Sequence, residues 1–147
     1  MNKLFFLLIL CFSNLVNAQQ QNSLQQIGSF SKDGEYVKDY FIIKEKDSFH
    51  LFYIVGDAGA SQHWEEPNNE KAFGHATSKD LQSWNHHPRI LKVIPNSWEG
   101  QVVSAPSIVK YRDTFYMVYT GFDDRIRGKQ SVGLATSTDL YNWQRCQ

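Results

Sequence analysis

The stretch FGHATSKDLQSW at Phe73–Trp84 is written a second time as VGLATSTDLYNW at Val132–Trp143. Gly, Ala-Thr-Ser, Asp-Leu and Trp fall in the same places in both copies. Two unrelated helices or strands share at most a hydrophobic rhythm, so agreement in particular small, polar and aromatic residues marks a repeated structural unit. A second pair of segments matches as well: FIIKEKDSFHLFYIVG, from Phe41, lies over SIVKYRDTFYMVYTGF, from Ser107.

Each of these longer segments reads as strand, polar turn, strand. The turn falls at Glu45-Lys46-Asp47 or Tyr111-Arg112-Asp113, and apolar residues then alternate through Phe49, Leu51 and Tyr53, or Phe115, Met117 and Tyr119. The Ala-Thr-Ser-x-Asp-Leu-x-x-Trp segment supplies a third strand with the turn after it, and HHPRILKV supplies a fourth in the first copy. The expected fold is all-β. Its unit is an antiparallel four-stranded meander, which cannot bury its faces alone and does so when stacked around an axis as a blade of a β-propeller. The first blade is expected at about 30–95 and the second at about 96–147.

Ser78 with Asp80, and Ser137 with Asp139, have short polar side chains that bond nearby backbone amides and fix a turn. Leu81 and Trp84, like Leu140 and Trp143, add apolar bulk. Since both copies have it, the arrangement reads as a structural staple; a catalytic group should occur once. That rule singles out another residue. Aligning the hairpins on Lys44 and Lys110 puts YVKDYF over VVSAPS, so Asp39 faces Ala105. The architecture does not require an acid there, which makes Asp39 a candidate functional residue beside the plainer reading of a turn-capping aspartate.

The hairpins lie 66 positions apart and the Ser-x-Asp-Leu turns 59, so the first unit carries seven further residues in DAGASQHWEEPNNEKA, 57–72. Long loops in compact β folds often carry function. With His63, Trp64, Glu65 and Glu66 this one can wall a binding site or be an ordinary surface excursion.

Composition narrows the partners. Acids and bases balance at 15 each with no run of one sign, which argues against a nucleic-acid or anionic-membrane binder. Aromatic residues make up 14%, enough both to fill a core and to offer ring faces to an uncharged sugar. Residues 1–18, MNKLFFLLILCFSNLVNA, read as a secretory signal cut after Ala18, and 19–29 as a linker. The apolar run from Leu4 to Phe12 is too short to span a bilayer, and bulky Leu10 before Cys11 argues against a lipid anchor. The expected location is secreted or periplasmic, with no membrane association after cleavage. The mature chain would keep one cysteine, Cys146, and so no internal disulfide. His86 and His87 are adjacent, unlike an i, i+4 metal pair, and read as surface or loop; no metal or cofactor is expected.

FHLFYIVG, FGHATSKDLQSWNHHPRIL and APSIVKYRDTFYMVYTGF together resemble the first two blades of the five-bladed propeller glycoside hydrolases, the superfamily containing families 32, 43, 68, 117 and 130. HLFY followed by GHATSKDLQSW is closest to family 32, while APSIVKYRDTFYMVYTG leans towards families 43 or 130. The resemblance implies hydrolysis of O-glycosidic bonds in a plant or algal oligosaccharide or polysaccharide. It implies that Asp39, on the first strand of the first blade, projects into a central pocket as nucleophile or general base. Family 32 has Asn-Asp-Pro-Asn-Gly where this chain has KDYFI, so only the acid is kept. By loop position, Trp64, Phe73, Trp98 and Ser104 are the candidates to surround it and bind substrate.

The relatives' acid is a glutamate of a later blade, and their substrate-orienting aspartate also follows the second blade. The sequence runs to NWQRCQ before either, with Glu99 as the nearby substitute that the resemblance does not support. The expectation is therefore the N-terminal part of a larger hydrolase, two blades of five, inactive alone. A sugar-binding propeller without catalysis is the alternative. A sialidase-like reading of SKDLQSW fits less well, because Gln82 stands where that motif has Gly.

Overall fold

A computed structural model describes residues 29–58 and 69–146; the expected signal at 1–18, Trp64 and most of the 57–72 connection lie outside the described residues. The described chain is all-β. Strands β1 (Glu35–Glu45), β2 (Ser48–Asp57), β3 (Phe73–Ser78) and β4 (Asn85–Ile90) form one antiparallel sheet in that order. A second sheet repeats the order with β5 (Val102–Tyr111), β6 (Thr114–Phe122), β7 (Gln130–Ser137) and the two-residue β8 (Gln144–Arg145). Two four-stranded meanders side by side are a partial, two-blade β-propeller.

Backbone geometry repeats with the sequence. Left-handed φ values fall in matched pairs: Asp39 and Ala105 in the first strands, Lys46 and Arg112 in the hairpin turns, Leu81 and Leu140 in the Ser-x-Asp-Leu turns. The staple forms in both copies. Ser78 Oγ accepts the Asp80 and Leu81 amides and donates to Asp80 Oδ1, which in turn accepts the amides of Gln82 and Ser83. Ser137 and Asp139 make the same five bonds with Leu140, Tyr141 and Asn142. These bonds satisfy amides that a tight reversal leaves without strand partners.

The repeated glycine has a different cause. Gly74 pairs with Tyr53 and Gly133 with Tyr119 across neighbouring strands, and each tyrosine ring lies over its glycine. A Cβ at Gly74 would stand 2.1 Å from Tyr53 Cε2, and one at Gly133 2.5 Å from Tyr119 Cζ. Both rings are buried, so neither can swing out to solvent. Gly74→Ala is expected to destabilise the protein by about 1–3 kcal/mol through overpacking, measured as a lower urea midpoint. An unchanged midpoint would show that the ring has room to move.

The core sits between the sheets. Phe52, Ile54 and Phe73 of the first sheet meet Ile108, Phe115, Met117, Tyr119, Ala135 and Leu140 of the second, with Trp143 packed at the margin. The first sheet's other face holds Leu51, Tyr53, Val55 and Ala76 beneath Phe30, Val37 and Trp84. The second sheet's face turned away from the first exposes Val109, Val118, Val132 and Leu134. His86 and His87, read from sequence as surface or loop, are half-buried on β4. The β3–β4 pairing turns them to opposite faces, His87 beside His75 and His86 beside Phe30.

Candidate functional site

The first strands β1 and β5 are the edges of their sheets nearest each other, with β5 lying against β1 and β2. Each is broken by a bulge at the same place. In β1 the register skips between Lys38 and Phe41, and in β5 between Ser104 and Ser107. Two residues thereby oppose one: Asp39 and Tyr40 face Tyr53, while Ala105 and Pro106 face Tyr119. A bulge bends its strand and re-aims the bulged side chain.

Asp39 occupies the left-handed position of the first bulge at φ 45°, and Ala105 that of the second at φ 52°. Aspartate tolerates this conformation better than most residues, but alanine in the second copy shows that the fold itself imposes it. The bulge is thus a property of the repeat. The carboxylate is an addition made once. Asp39 and Tyr40 are both exposed, and among the described residues no hydrogen bond or ion pair engages the Asp39 carboxylate.

The residues expected around Asp39 are placed differently from one another. Ser104 is half-buried beside the second bulge and pairs with Thr120. Trp98 lies over Gly121 and Gly133 and stacks on Tyr119 with ring centroids 6.0 Å apart. Phe73 is fully buried in the core, edge-on to Tyr119 at 5.9 Å. Glu99 is buried too; Tyr119 donates its hydroxyl to Glu99 Oε2 at 2.7 Å, and Arg145 pairs with Glu99 Oε1. Burial, and then the hydrogen bond and charge of Glu99, push the Tyr119 hydroxyl well above its ordinary value.

Two groupings were not legible in the sequence. Just before the first bulge, Lys38 Nζ lies 2.5 Å from Glu70 Oε1, which also accepts the Tyr36 hydroxyl at 3.3 Å. Burial, helped by the Glu70 charge, pushes Tyr36 up to about 12. At the seam between the sheets, His50 Nδ1 and His75 Nε2 are 3.1 Å apart, and the ring of His87 lies 4.8 Å from that of His75. Tyr141 of the second sheet's turn meets all three imidazoles edge-on. Among the described residues no group of three His, Cys, Asp or Glu is arranged to hold a metal ion.

Comparison with known proteins agrees with this geometry. Residues 38–147 match the family described as the glycosyl hydrolases family 32 N-terminal domain. The chain is similar to a 1,2-beta-oligomannan phosphorylase of Thermoanaerobacter sp. (strain X514), 32% identical over 103 residues, covering 70% of this chain and 34% of the relative. It is also similar to a beta-1,2-mannobiose phosphorylase of the same organism, 29% identical over 125 residues, covering 82% of this chain and 41% of the relative. This chain therefore spans well under half the length of either. Among solved structures it shares its fold with Zg3597, a family 117 glycoside hydrolase of the marine bacterium Zobellia galactanivorans. There the TM-score is 0.61 at 16% identity, over 81% of this chain and 41% of that one.

Proposed function

Because the chain belongs to the glycosyl hydrolases family 32 N-terminal domain family, we propose that it is part of a secreted or periplasmic enzyme that cleaves glycosidic bonds in an oligosaccharide or polysaccharide. Asp39 is its general base or nucleophile. One observation carries this reading: the same left-handed bulge is built twice, and only the copy in the first sheet bears a carboxylate.

Glycoside cleavage passes through an oxocarbenium-like transition state, in which one carboxylic acid protonates the leaving oxygen and one carboxylate attacks or activates water. An exposed, unpaired carboxylate on a rigid edge strand suits the second task. The acid is a group supplied outside the described residues. Glu99 does not supply it, being held by Tyr119 and Arg145.

The similarity to two phosphorylases favours a second reading for the acceptor. In phosphorolysis a phosphate oxygen forms the new bond to the anomeric carbon as the glycosidic C–O bond breaks, and the leaving oxygen takes a proton. One protein carboxyl group then suffices, as the acid. A sugar-binding propeller without turnover is the remaining alternative.

The test is product analysis with the full-length protein on β-1,2-mannooligosaccharides and on plant and algal polysaccharides, with and without inorganic phosphate. Free reducing sugar in the absence of phosphate supports hydrolysis, and a sugar phosphate formed only in its presence supports phosphorolysis. Asp39→Asn is expected to lower hydrolytic turnover at least about a hundredfold and to leave Tm unchanged. Full turnover by that variant would reject Asp39. Binding without turnover by the unaltered protein would leave the non-catalytic reading.

A further inference from the structure

Glu70 enters the fold where the 57–72 connection returns to the first sheet, and it touches three strands at once. Its amide donates to Val55 O of β2 at 3.0 Å, and its carbonyl accepts the Val103 amide of β5 at 3.0 Å. Its side chain takes Lys38 and Tyr36 of β1. The residue is 3% exposed and sits at a left-handed φ of 58°.

Its partners are informative by position. Lys38 immediately precedes Asp39, and Val103 stands two residues before Ala105, so Glu70 ties together the strand segments leading into both bulges. Packing alone does not call for a carboxylate here. A buried carboxylate recovers little more than its own desolvation cost from a partly exposed ammonium, and an apolar side chain of similar volume often serves stability as well. What the pair adds is a fixed geometry, with the Lys38 ammonium drawn inward and the edge strand β1 held against β5.

The geometry points to Glu70 as the positioning residue for Asp39, holding Lys38 away from the reactive carboxylate and fixing the bulge that presents it. This rests on the proposed role of Asp39. Without Glu70 the ammonium is free to seek the adjacent carboxylate, and the bulge loses its anchor on the side of β1.

The experiment compares Glu70→Gln, Lys38→Met with Glu70→Gln, and Asp39→Asn in the full-length protein. Two readouts are used: steady-state kinetics on whichever substrate is turned over, and amide hydrogen exchange. For Glu70→Gln, kcat is expected to fall about tenfold with KM within about twofold, as for an interaction that matters in the transition state. Exchange at residues 37–41 and at Val103 should quicken at least about tenfold, with Met117 and Ala135 unaltered. Adding Lys38→Met should restore kcat to within about threefold, since the freed cation is gone.

Faster exchange spread evenly over both sheets, or a kcat loss that Lys38→Met does not relieve, would make Glu70 merely structural and overturn the inference. If Glu70→Gln fails to fold, Lys38→Gln tests the same pair from its exposed side. With the cation removed kcat should stay within about threefold, and unchanged exchange at 37–41 in that variant would equally overturn it. Turnover retained by Asp39→Asn sinks the proposed function, while the exchange pattern still decides whether Glu70 governs the bulge.

Discussion

Acidification from pH 7 to pH 4 is expected to destabilise the protein by roughly 3 kcal/mol through His75 alone, since each unit of pKa difference is worth about 1.4 kcal/mol. His75 is 1% exposed, stacked on Phe52 at 4.6 Å and enclosed by His50, His87 and Tyr141. Burial, then the neighbouring His87 and His50, lowers it from its ordinary 6.5 to about 3, against a smaller opposing pull from Asp139. His50 and His87 are lowered in the same direction, burial again leading in each, with Glu45 opposing at His50 and His86 adding at His87.

Below pH 6.5 the unfolded chain takes up protons that the folded seam refuses, so stability falls with pH from there until folded His75 itself titrates near pH 3. The staple carboxylates act elsewhere on the scale. Asp139 is held at about 2 by the Asn142 backbone and side-chain bonds first, so its contribution is intact above pH 3.8 and is lost only as pH falls towards 2. The loss between pH 6.5 and 4.5 therefore belongs to the histidines.

His75→Leu takes the residue that the second repeat already has at the matching position, Leu134. It should flatten the fall in Tm over that window, which for the unaltered protein amounts to about 10 °C or more by pH 4. An equally steep fall in the variant would show that the seam histidines are not what acid attacks.

Such a seam could not have been read from the chain, and the reason separates the legible part of this fold from the rest. What a repeat specifies locally was open to inspection. The strands, both hairpin turns, the Ser-x-Asp-Leu staple and the correspondence of Asp39 with Ala105 each depend on residues close in sequence, and the matched left-handed φ values reproduce that alignment. What depends on pairing between strands was hidden. The cause of the repeated glycine is a tyrosine ring one strand away. His50 and His75 become neighbours because Phe52 pairs with His75, which sets His50 two places along the same face. Glu70 acquires its partners only where a long connection re-enters the sheet, and nothing in NNEKA marks it out from the polar residues beside it. Phe73, expected by loop position to stand near Asp39, packs in the core because its strand pairs it with Ile54 on the covered face.

The same dependence on pairing governs Arg145, whose replacement by methionine is expected to cost about 3–5 kcal/mol. Glu99 is 1% exposed, and its charge is met by Arg145 on one oxygen and by the Tyr119 hydroxyl on the other. Arg145 also donates through Nη2 to Lys92 O at 2.6 Å, joining the last strand to the segment that leaves the first sheet. Methionine preserves much of the packing of the arginine stem while leaving the carboxylate buried with one neutral donor. Removing one partner of a buried pair is costly because the other charge stays behind, whereas removing both is often mild. Glu99→Gln together with Arg145→Met should therefore recover most of what Arg145→Met alone loses, as read from urea midpoints at pH 7. A loss under about 1 kcal/mol for the single variant would mean that water reaches Glu99 once the guanidinium is gone. A double variant no more stable than the single would mean that Arg145 acts through Lys92 and its own packing, leaving Glu99 a bystander in the stability of the second sheet.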